Sequence, residues 1–311
     1  MSALFAGSKI LVTGGAGFIG SHIVERLVEE RAEVTVLDNF SRGSLSLLSN
    51  VLDSVCVIEG DVRDRSCVEA ASVGQTAVIH LASQSSVMRA SADLDESFTG
   101  NVVGTFEVLR AAKSAGVKHC IFASSREVYG DPTQLPVGED TRLDPKNPYG
   151  VSKLAGELYC RSFQDESFRV SILRLANVYG FRDFDRVIPI FVGQALRNED
   201  LVLYGGGQIL DFVWIDTVVD AFVAVAASKF PTGALNVGSG KGITIHDLAR
   251  HIVRLSGSGS RVVVRQPRSL ESVGFIADTT RAKQTLGIDF SHELLYNLPL
   301  LLESVSQPAP I

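Results

Sequence analysis

Short apolar strands alternate with amphipathic helical stretches through the first half of this 311-residue chain. The run KILVT at residues 9–13 suits a buried strand, and apolar residues then recur at helical spacing between residues 19 and 28. Parallel strands need long crossover connections, usually helices, whereas antiparallel strands can be joined by tight turns. The alternation therefore predicts an α/β fold built on a doubly wound parallel sheet.

The same pattern gives approximate element boundaries. Strands are predicted at residues 9–13, 33–37, 55–59, 77–81, 119–123 and 170–175, and helices at 20–31, 65–71, 95–115 and 147–163. Beyond residue 177 the pattern loosens, with predicted helices at 186–198, 215–228 and 244–255 and short strands at 201–203 and 234–237. We therefore divide the chain into a first domain over residues 1–176 and a smaller mixed α/β lobe over 177–311, some of whose elements return to the first domain.

Charge and composition exclude several classes of protein. The chain has 29 Lys and Arg against 35 Asp and Glu, a net charge of −6, so no basic surface is expected for nucleic acid or an anionic membrane. No charged and then apolar leader is apparent, and no run of about 18 uncharged apolar residues predicts a membrane span. The four cysteines and six histidines lack metal-ligand spacing. We expect a cytoplasmic protein with reduced thiols and no metal site.

A glycine turn joins the first strand to the first helix. Gly14, Gly17 and Gly20 permit a tight turn in which backbone and helix N-terminus approach a pyrophosphate. Asp38 closes the second strand 18 residues after Gly20, where a carboxylate can accept hydrogen bonds from both hydroxyls of an adenosine ribose. A carboxylate there repels a 2′-phosphate, which favours NAD over NADP, although the nearby Arg42 leaves that preference open. The first domain is thus predicted to be an NAD-binding domain of the Rossmann type.

Tyr149 and Lys153 lie four residues apart on a predicted helix, so the phenol and the ammonium project from the same face. Free tyrosine titrates near pH ~10, so a base acting near neutrality needs its pKa lowered by roughly 3, about 4 kcal/mol of differential stabilisation. A lysine in a partly dry site supplies part of this, and a positively charged nicotinamide ring supplies more. Such a pair is common on ordinary helices, but its occurrence after a dinucleotide-binding turn indicates a redox site.

A series of motifs follows in a fixed order along the chain. They are TGGAGFIG (13–20), DNFSRG (38–43), HLAS (80–83), SSREVYG (124–130), YGVSK (149–153), LRLANVYG (173–180), DFVWIDTVVDA (211–221) and NVGSG (236–240). In this order, over residues 9–287, the chain resembles the extended short-chain dehydrogenases that act on nucleotide sugars. This is the epimerase/dehydratase family that includes UDP-glucose 4-epimerase.

The resemblance implies roles for individual residues. Ser125, Tyr149 and Lys153 would form the catalytic triad, and Asn101 would order the active site. Together with the glycine turn, the expected cofactor contacts are Gly14, Gly17, Phe18, Ile19, Gly20, Asp38, Asn39, Ser41, Arg42, Gly43, Asp61, Val62, Leu81, Ala82, Ser83, Asn101, Ser124, Tyr149 and Lys153. The expected substrate contacts are Ser85, Arg126, Asn177, Arg186, Val187, Arg268 and Glu271. The family also commonly dimerises through the two helices placed here near 95–115 and 147–163, which form a four-helix bundle.

The mechanism implied by the resemblance is a reversible oxidation at carbon 4 of the sugar. Tyr149, as phenolate, takes the proton of the 4-hydroxyl while hydride passes from carbon 4 to NAD⁺. Lys153 lowers the pKa of the tyrosine, and Ser125 hydrogen-bonds the reacting oxygen. The bound 4-keto sugar then either takes hydride back on its other face or reacts further while oxidised.

Glu127 in SSREVYG separates the branches of the family. Simple 4-epimerases usually carry a small or hydroxyl residue there, whereas 4,6-dehydratases and UDP-glucuronate decarboxylases resemble this chain in having glutamate. In a dehydratase the glutamate removes a proton from carbon 5, and a preceding aspartate protonates the leaving 6-hydroxyl. Here the preceding residue is Arg126, whose guanidinium cannot act as a general acid. Glu127 is therefore either a base on the 4-keto intermediate or the partner of Arg126, which itself would suit a substrate carboxylate.

Two further positions depart from the family pattern. Leu210 stands where many relatives have an arginine that holds the nucleotide diphosphate, a charge-assisted contact of about 1.5–3 kcal/mol. Arg182, Arg186 and Arg268 are candidates to replace it. Phe181 stands where a proline usually follows NVYG, in a segment shorter than in many relatives, so sugar contacts there do not transfer.

The sequence favours an NAD-dependent nucleotide-sugar 4-epimerase that acts on a UDP sugar. The alternative is a dehydratase or UDP-glucuronate decarboxylase that uses Glu127 on the 4-keto intermediate. A protein that binds NAD without turnover is disfavoured because the triad is present. A conventional dehydrogenase that releases NADH is a further alternative, which net cofactor reduction would reveal.

Overall fold

The structure, a computed structural model, describes residues 4–228, 233–268, 270, 272–290 and 294–306. Its strands are β1 (Lys9–Thr13), β2 (Glu33–Asp38), β3 (Val55–Glu59), β4 (Ala77–His80), β5 (His119–Ser125), β6 (Arg169–Leu175), β7 (Asn177–Tyr179), β8 (Leu201–Tyr204), β9 (Ile209–Trp214), β10 (Gly233–Val237), β11 (Gly242–Thr244), β12 (Val262–Arg265) and β13 (Gly274–Phe275). Its α-helices are α1 (Phe18–Glu29), α2 (Arg65–Ser72), α3 (Val87–Ala92), α4 (Leu94–Glu96), α5 (Gly104–Ser114), α6 (Pro148–Phe163), α7 (Val187–Leu196), α8 (Ile215–Ala227), α9 (Ile245–Ser256), α10 (Thr280–Leu286) and α11 (Leu298–Ser306).

Seven strands form one sheet in the order β10-β6-β5-β4-β1-β2-β3. Every neighbouring pair in it is parallel. The strand order changes direction between β1 and β4, and in such sheets a crevice for ligands lies outside the carboxyl ends at this switch point. The predicted doubly wound, Rossmann-type parallel sheet is confirmed.

The sheet is covered on both faces because successive residues of a strand point to opposite sides. Ile10 and Val12 of β1 pack into one hydrophobic cluster with α1 and α8, whereas Leu11 packs into a second cluster with α2 and α5. All three side chains are at most 1% exposed. This burial holds the sheet rigid and fixes the loops at its carboxyl edge.

The helix boundaries differ from the prediction by a few residues. Helix α1 begins at Phe18 rather than at residue 20, because the chain becomes helical directly after the extended Gly17. It ends at Glu29 because Arg31 has φ of 66°, a left-handed conformation through which a helix does not continue. Strands β1 and β3 coincide with their predictions.

The helix predicted near residues 95–115 is not a uniform α-helix. It consists of α4, a π-helical segment over Ser97–Val103, and α5. Such wide turns occur often at functional sites, and Asn101 lies within this one. Gly116 follows the helix with φ of 77°, as expected for a glycine at a helix C-terminus.

The second part of the chain contributes to both regions of the fold. Strand β10 pairs with β6 and thereby extends the large sheet, and α8 packs beside α1. Strands β7, β9, β11 and β13 form a small separate sheet, and β8 pairs with β12. The sequence pattern missed most of these lobe strands because several have only two or three residues. Across the described ranges, no helix is both long and apolar enough to cross a bilayer.

Candidate active site

A cleft of about 1080 Å³ lies at the carboxyl edge of the large sheet, between the sheet and the lobe. The predicted site residues that line it are Gly14, Gly17, Phe18, Ile19, Gly20, Asp38, Asn39, Ser41, Arg42, Gly43, Asp61, Val62, Leu81, Ala82, Ser83, Ser85, Ser124, Ser125, Arg126, Glu127, Tyr149, Lys153, Asn177, Arg186, Val187 and Arg268. Asn101 is only 2% exposed and lies behind the residues that line the cleft. Glu271 lies outside the described residues.

The glycine turn after β1 has the geometry of a phosphate cradle. Gly14 has φ of 71°, and a Cβ atom at Gly20 would lie 2.2 Å from the carbonyl oxygen of Gly14. Gly17 is the N-cap of α1 and carries no side chain to occupy the first N–H groups of the helix. These backbone donors therefore face the cleft and suit an anionic pyrophosphate.

Asp38 closes β2 beside this turn and is 8% exposed. Its carboxylate accepts hydrogen bonds from the backbone N–H groups of Ala16 (3.0 Å) and Phe40 (2.9 Å). Burial raises the pKa of Asp38, and the two hydrogen bonds oppose that rise. Each oxygen retains a second lone pair, so the fixed carboxylate fits the two hydroxyls of a ribose.

Asp61, after β3, is held in place by two neighbours at the same end of the cleft. Its carboxylate accepts hydrogen bonds from Asn39 (2.8 Å) and from the guanidinium of Arg63 (2.7 and 2.9 Å). The hydrogen bond from Arg63 lowers the pKa of Asp61 to about 2. Arg63 also pairs with Glu96 (2.7 Å), so it links the β3 loop to α4.

The proposed triad meets where β5 ends and α6 begins. Pro148 occupies the first turn of α6, and the side chain of Asn147 caps it by accepting from the N–H of Gly150 (2.9 Å). This start places Tyr149 in the first turn, where it lines the cleft together with Ser125 at the end of β5, and the interaction with Ser125 lowers the pKa of Tyr149. The residues expected to transfer the substrate proton thus line the same cleft.

The ammonium of Lys153 points beneath this pair. Its Nζ atom donates to the carbonyl of Ala123 (2.8 Å) and lies 5.8 Å from the centroid of the Tyr149 ring. Burial lowers the pKa of Lys153 to about 7. The helical spacing of four residues does place both side chains on one face, as the sequence predicts.

Tyr149 is a weak acid in the protein alone. Burial raises its pKa to about 12, and the hydrogen bond with Ser125 opposes this rise. The positive charges of Arg186 and Arg42 also lower the pKa, whereas the negative charge of Glu127 raises it. Further positive charge is therefore needed before the phenol can act as a base near neutral pH.

Glu127 is engaged by three side chains. Its Oε1 atom pairs with the guanidinium of Arg126 (2.8 Å), and its Oε2 atom accepts from Asn147 (2.7 Å) and from Ser272 (3.4 Å). The side chains of Glu127 and Arg126 are 7% and 12% exposed. The sequence leaves two roles open for Glu127: a base on the 4-keto intermediate, or the partner of Arg126. In the structure Glu127 is paired with Arg126.

A buried ion pair joins β6 to α6 behind Ser125 and Tyr149. Arg174 of β6 donates to both carboxylate oxygens of Glu157 in α6 (2.9 and 2.7 Å), and the two side chains are 1% and 0% exposed. The hydroxyl of Ser124 also donates to Glu157 (2.6 Å). These bonds join β5, β6 and α6 directly behind Ser125 and Tyr149.

The short segment after β7, residues 181–186, runs along α1 and is called the strap below. The carbonyl of Phe181 bonds His22 (3.0 Å), and Arg182 pairs with Glu25 (2.7 Å). Arg182 thus holds the strap against α1, and its side chain also lines the cleft. Its φ of 68° is a strained conformation for a residue with a side chain.

Two other strap residues face the cleft. Arg186 lies over the ring of Phe18, 5.1 Å from its centroid, and pairs with Asp183 (3.0 Å). Asp183 is 5% exposed, and its Oδ2 atom has no hydrogen-bond partner among the described residues. Burial raises the pKa of Asp183 to about 6.

The far end of the cleft belongs to the lobe. The guanidinium of Arg268 stacks on Tyr204, 3.7 Å from the ring centroid, and Leu210 lines the wall nearby. Asn177 donates its side-chain amide to the carbonyl of Asp211 (3.0 Å), which fixes it at the start of β7. Val187 is the first residue of α7.

Several residues of this site were not found from the sequence. Arg63, Asn147, Asp183, Tyr204 and Ser272 all contact predicted site residues. Only Asn147 has a local signal, since Asn before Pro is a common helix start. The others depend on contacts between distant parts of the chain.

Comparison with known proteins agrees with this geometry. Residues 10–238 match the model of the NAD dependent epimerase/dehydratase family. The UDP-glucose 4-epimerase of Mycolicibacterium smegmatis is 34% identical over 90% of this chain and 92% of its own length. A UDP-N-acetyl-α-D-glucosaminuronate decarboxylase of Bacillus cytotoxicus is 33% identical over 82% of each chain.

A solved structure is similarly close. The UDP-glucose 4-epimerase of Thermotoga maritima, solved with UDP-glucose, superimposes with a TM-score of 0.90 at 32% identity and covers 96% of this chain and 98% of that one. The glycine cradle, the fixed Asp38 and the interaction of Tyr149 with Ser125 are the features that a NAD-dependent member requires. The chain therefore belongs to the NAD dependent epimerase/dehydratase family.

Proposed function

We propose that the protein is an NAD-dependent 4-epimerase of a nucleotide sugar, with a UDP sugar as substrate. The single observation that carries the choice of epimerase over lyase is the engagement of Glu127 by Arg126, Asn147 and Ser272. Relatives named UDP-glucose 4-epimerase, which align with nearly the whole chain, support the same choice.

The residues of the chain divide the work as follows. When bound, NAD supplies reversible hydride acceptance. Tyr149 takes the proton of the sugar 4-hydroxyl and later returns it, while Ser125 hydrogen-bonds the same oxygen. Lys153 holds the nicotinamide ribose and adds positive charge beneath the tyrosine. The 4-keto sugar then rotates in the cleft, so that carbon 4 is reduced on its other face.

Positive charge around Tyr149 makes it a usable base. Its pKa of about 12 reflects burial in the protein alone, and Arg186 and Arg42 already oppose this effect. The ring of the oxidised cofactor and the ammonium of Lys153 add to them when the site is loaded. The oxidised cofactor therefore favours the deprotonated phenol of Tyr149, and the oxidation step is the one that needs a base.

The engagement of Glu127 argues against elimination and decarboxylation. A base for the carbon-5 proton must turn a free lone pair toward the substrate, but here Oε2 accepts two protein hydrogen bonds, and Oε1, which keeps one lone pair, is held by the guanidinium of Arg126. Arg126 occupies the position of the acid that a 4,6-dehydratase requires. Its charge is matched by Glu127, so a neutral hexose suits this wall better than a uronic acid.

A lyase remains the second candidate because Glu127 still lines the cleft beside Tyr149. The decarboxylase relative from Bacillus cytotoxicus is as similar to this chain as the epimerases are. In such an enzyme Glu127 would have to leave Arg126 on substrate binding.

The nucleotide end is proposed to rest on the lobe. Arg268 is held flat against Tyr204 and contacts the diphosphate, with Asn177 as a second contact. Arg186 supplies the positive charge that Leu210 does not. This division gives weaker diphosphate binding than an arginine at residue 210 would provide.

We also propose a homodimer formed through α4, α5 and α6. Exposed apolar side chains on α4, α6 and the π-helical segment that links α4 to α5 are Leu94 (60%), Phe98 (58%), Val151 (53%), Leu158 (55%) and Tyr159 (39%). Val151 and Leu158 are seven residues apart and lie on one face of α6, as in a helix packed against another helix. A second copy that brings the same helices would complete a four-helix bundle and cover this patch.

Sedimentation analysis tests the dimer. Leu158→Glu places a charge in the centre of the proposed interface and is expected to yield monomers, whereas Val73→Glu, at a 72% exposed site on another surface, leaves the dimer intact. A wild-type monomer would contradict the proposal.

A cytoplasmic setting is also proposed, because the four cysteines are free thiols.

Isotope transfer tests the epimerase assignment. UDP-glucose deuterated at carbon 4 is incubated with the protein and NAD⁺, and the product is analysed by mass spectrometry and NMR. We expect a UDP-hexose of unchanged mass that keeps the deuterium at carbon 4 with inverted configuration. Loss of water from the product would identify a dehydratase; loss of carbon dioxide from UDP-glucuronate would identify a decarboxylase.

A further inference from the structure

Arg42 connects two loops across the glycine turn. It follows β2, and its Nη1 atom donates to the hydroxyl of Ser85, which follows β4, at 2.7 Å. In the sheet β1 lies between β4 and β2. A bond from the β2 loop to the β4 loop therefore crosses the carboxyl end of β1, where the phosphate cradle begins at Gly14.

The same guanidinium also reaches the strap. Its Nη2 atom donates to Oδ2 of Asp185 at 2.5 Å, and Arg89 approaches that oxygen at 3.7 Å. The strap itself is fastened to α1 through His22 and Glu25. We call these three residues, Arg42, Ser85 and Asp185, the clasp. The clasp joins the loops of the sheet to the strap, although Arg42 and Asp185 lie 143 residues apart in sequence.

We propose that the clasp closes over the pyrophosphate of bound NAD and slows its release. Arg42 and Asp185 are positioning residues in this account, since they hold the cleft shut and do not touch the reacting atoms. The inference rests on the proposed function in one respect. An epimerase must keep the reduced cofactor beside the 4-keto sugar until hydride returns, and early release would end the cycle.

The geometry separates a clasp from a simple phosphate contact. Both terminal nitrogens of Arg42 have protein partners, and Asp185 neutralises its charge. If Arg42 acted only by attracting phosphate, removal of Asp185 would free its charge and tighten cofactor binding. If the pair acts as a clasp, removal of Asp185 opens the cleft and speeds release.

Cofactor release measures the difference directly. Full-length protein is loaded with NADH and mixed with excess NAD⁺ in the absence of sugar, and the decay of bound NADH fluorescence gives the release rate. Asp185→Asn is expected to release NADH about two- to fivefold faster, the effect of a partly exposed ion pair. Arg42→Ala is expected to release it about tenfold faster, since the bond to Ser85 is lost as well.

The double variant and a matched control decide the interpretation. Arg42→Ala with Asp185→Asn should release NADH no faster than Arg42→Ala alone, because both changes break one contact. Asp200→Asn removes a similar Asp–Arg pair, with Arg261 at 2.6 Å, outside the cleft and should not change the rate. An unchanged or slower release from Asp185→Asn, additive effects in the double variant, or an equal effect of Asp200→Asn would overturn the proposal.

This experiment is independent of the sugar chemistry. Release rates are measured without substrate, so a failed epimerase assay leaves the result on the clasp intact. Conversely, unchanged release rates would remove the clasp and leave the assignment of Tyr149 and Ser125 untouched.

Discussion

Replacement of Glu127 by glutamine separates a paired carboxylate from a catalytic one. Glutamine keeps the shape and can still accept the bonds from Asn147 and Ser272, but it loses the ion pair with Arg126. Breaking a buried pair costs about 3–5 kcal/mol, because one charge is left without its partner. Since the side chain of Arg126 is 12% exposed and glutamine keeps one oxygen, we expect the lower end, about 3 kcal/mol.

The expected phenotype is a loss of stability with little loss of turnover. For a chain of this size, 3 kcal/mol corresponds to a fall of roughly 4–5 °C in the unfolding midpoint, because the unfolding entropy is about 2.1 cal/mol/K per residue. Turnover, measured well below that midpoint by NMR of the sugar product, should stay within about threefold of the wild type. The double variant Arg126→Gln with Glu127→Gln should regain much of the stability, since no unpaired charge then remains.

The opposite pattern would refute the reasoning. A general base contributes about 10²- to 10⁴-fold to rate, so a loss of that size with an unchanged midpoint would place Glu127 on the substrate. The protein would then be a dehydratase or a decarboxylase, and the pair with Arg126 would open on substrate binding.

Three further predictions test other parts of the site. Tyr149→Phe should bind NAD normally in calorimetric titration but lose about 10²- to 10⁴-fold in turnover; near-normal turnover would remove the proposed base. Glu157→Gln should lower the free energy of urea unfolding by about 3–5 kcal/mol because Arg174 is left buried and unpaired, while the exposed Glu166→Gln should stay within about 0.5 kcal/mol. Burial lowers the pKa of His80 from 6.5 to about 3, so the unfolded chain binds the extra proton and stability falls as pH decreases through that window. His80→Gln should flatten this dependence, and an identical slope in the variant would contradict it.

The sheet was predictable because its strands are short apolar runs separated by helical periodicity. KILVT at residues 9–13 is buried on both faces, so its composition alone identifies it. Most lobe strands gave no such signal, although β8 was predicted at residues 201–203. Strand β13 has two residues, and β7 and β11 have three, so their pairing is decided by tertiary contacts.

The site was predictable where function requires a local pattern. The glycine turn, Asp38 and the helical spacing of Tyr149 and Lys153 each depend on residues close together in the chain. The contact of Arg42 with Asp185 was not predictable, because the two residues lie 143 positions apart in the chain. The sequence shows that Arg126 precedes Glu127 but not that Asn147 and Ser272 occupy the other oxygen.

The most direct test of the epimerase assignment is a proton NMR time course started from both sides of the reaction. Protein and NAD⁺ are mixed in separate tubes with UDP-glucose and with UDP-galactose, and their anomeric signals are followed. We predict that both tubes converge on the same mixture of the two sugars with no net NADH. Failure to interconvert the two, together with loss of water from UDP-glucose or loss of carbon dioxide from UDP-glucuronate in a third tube, would contradict the account.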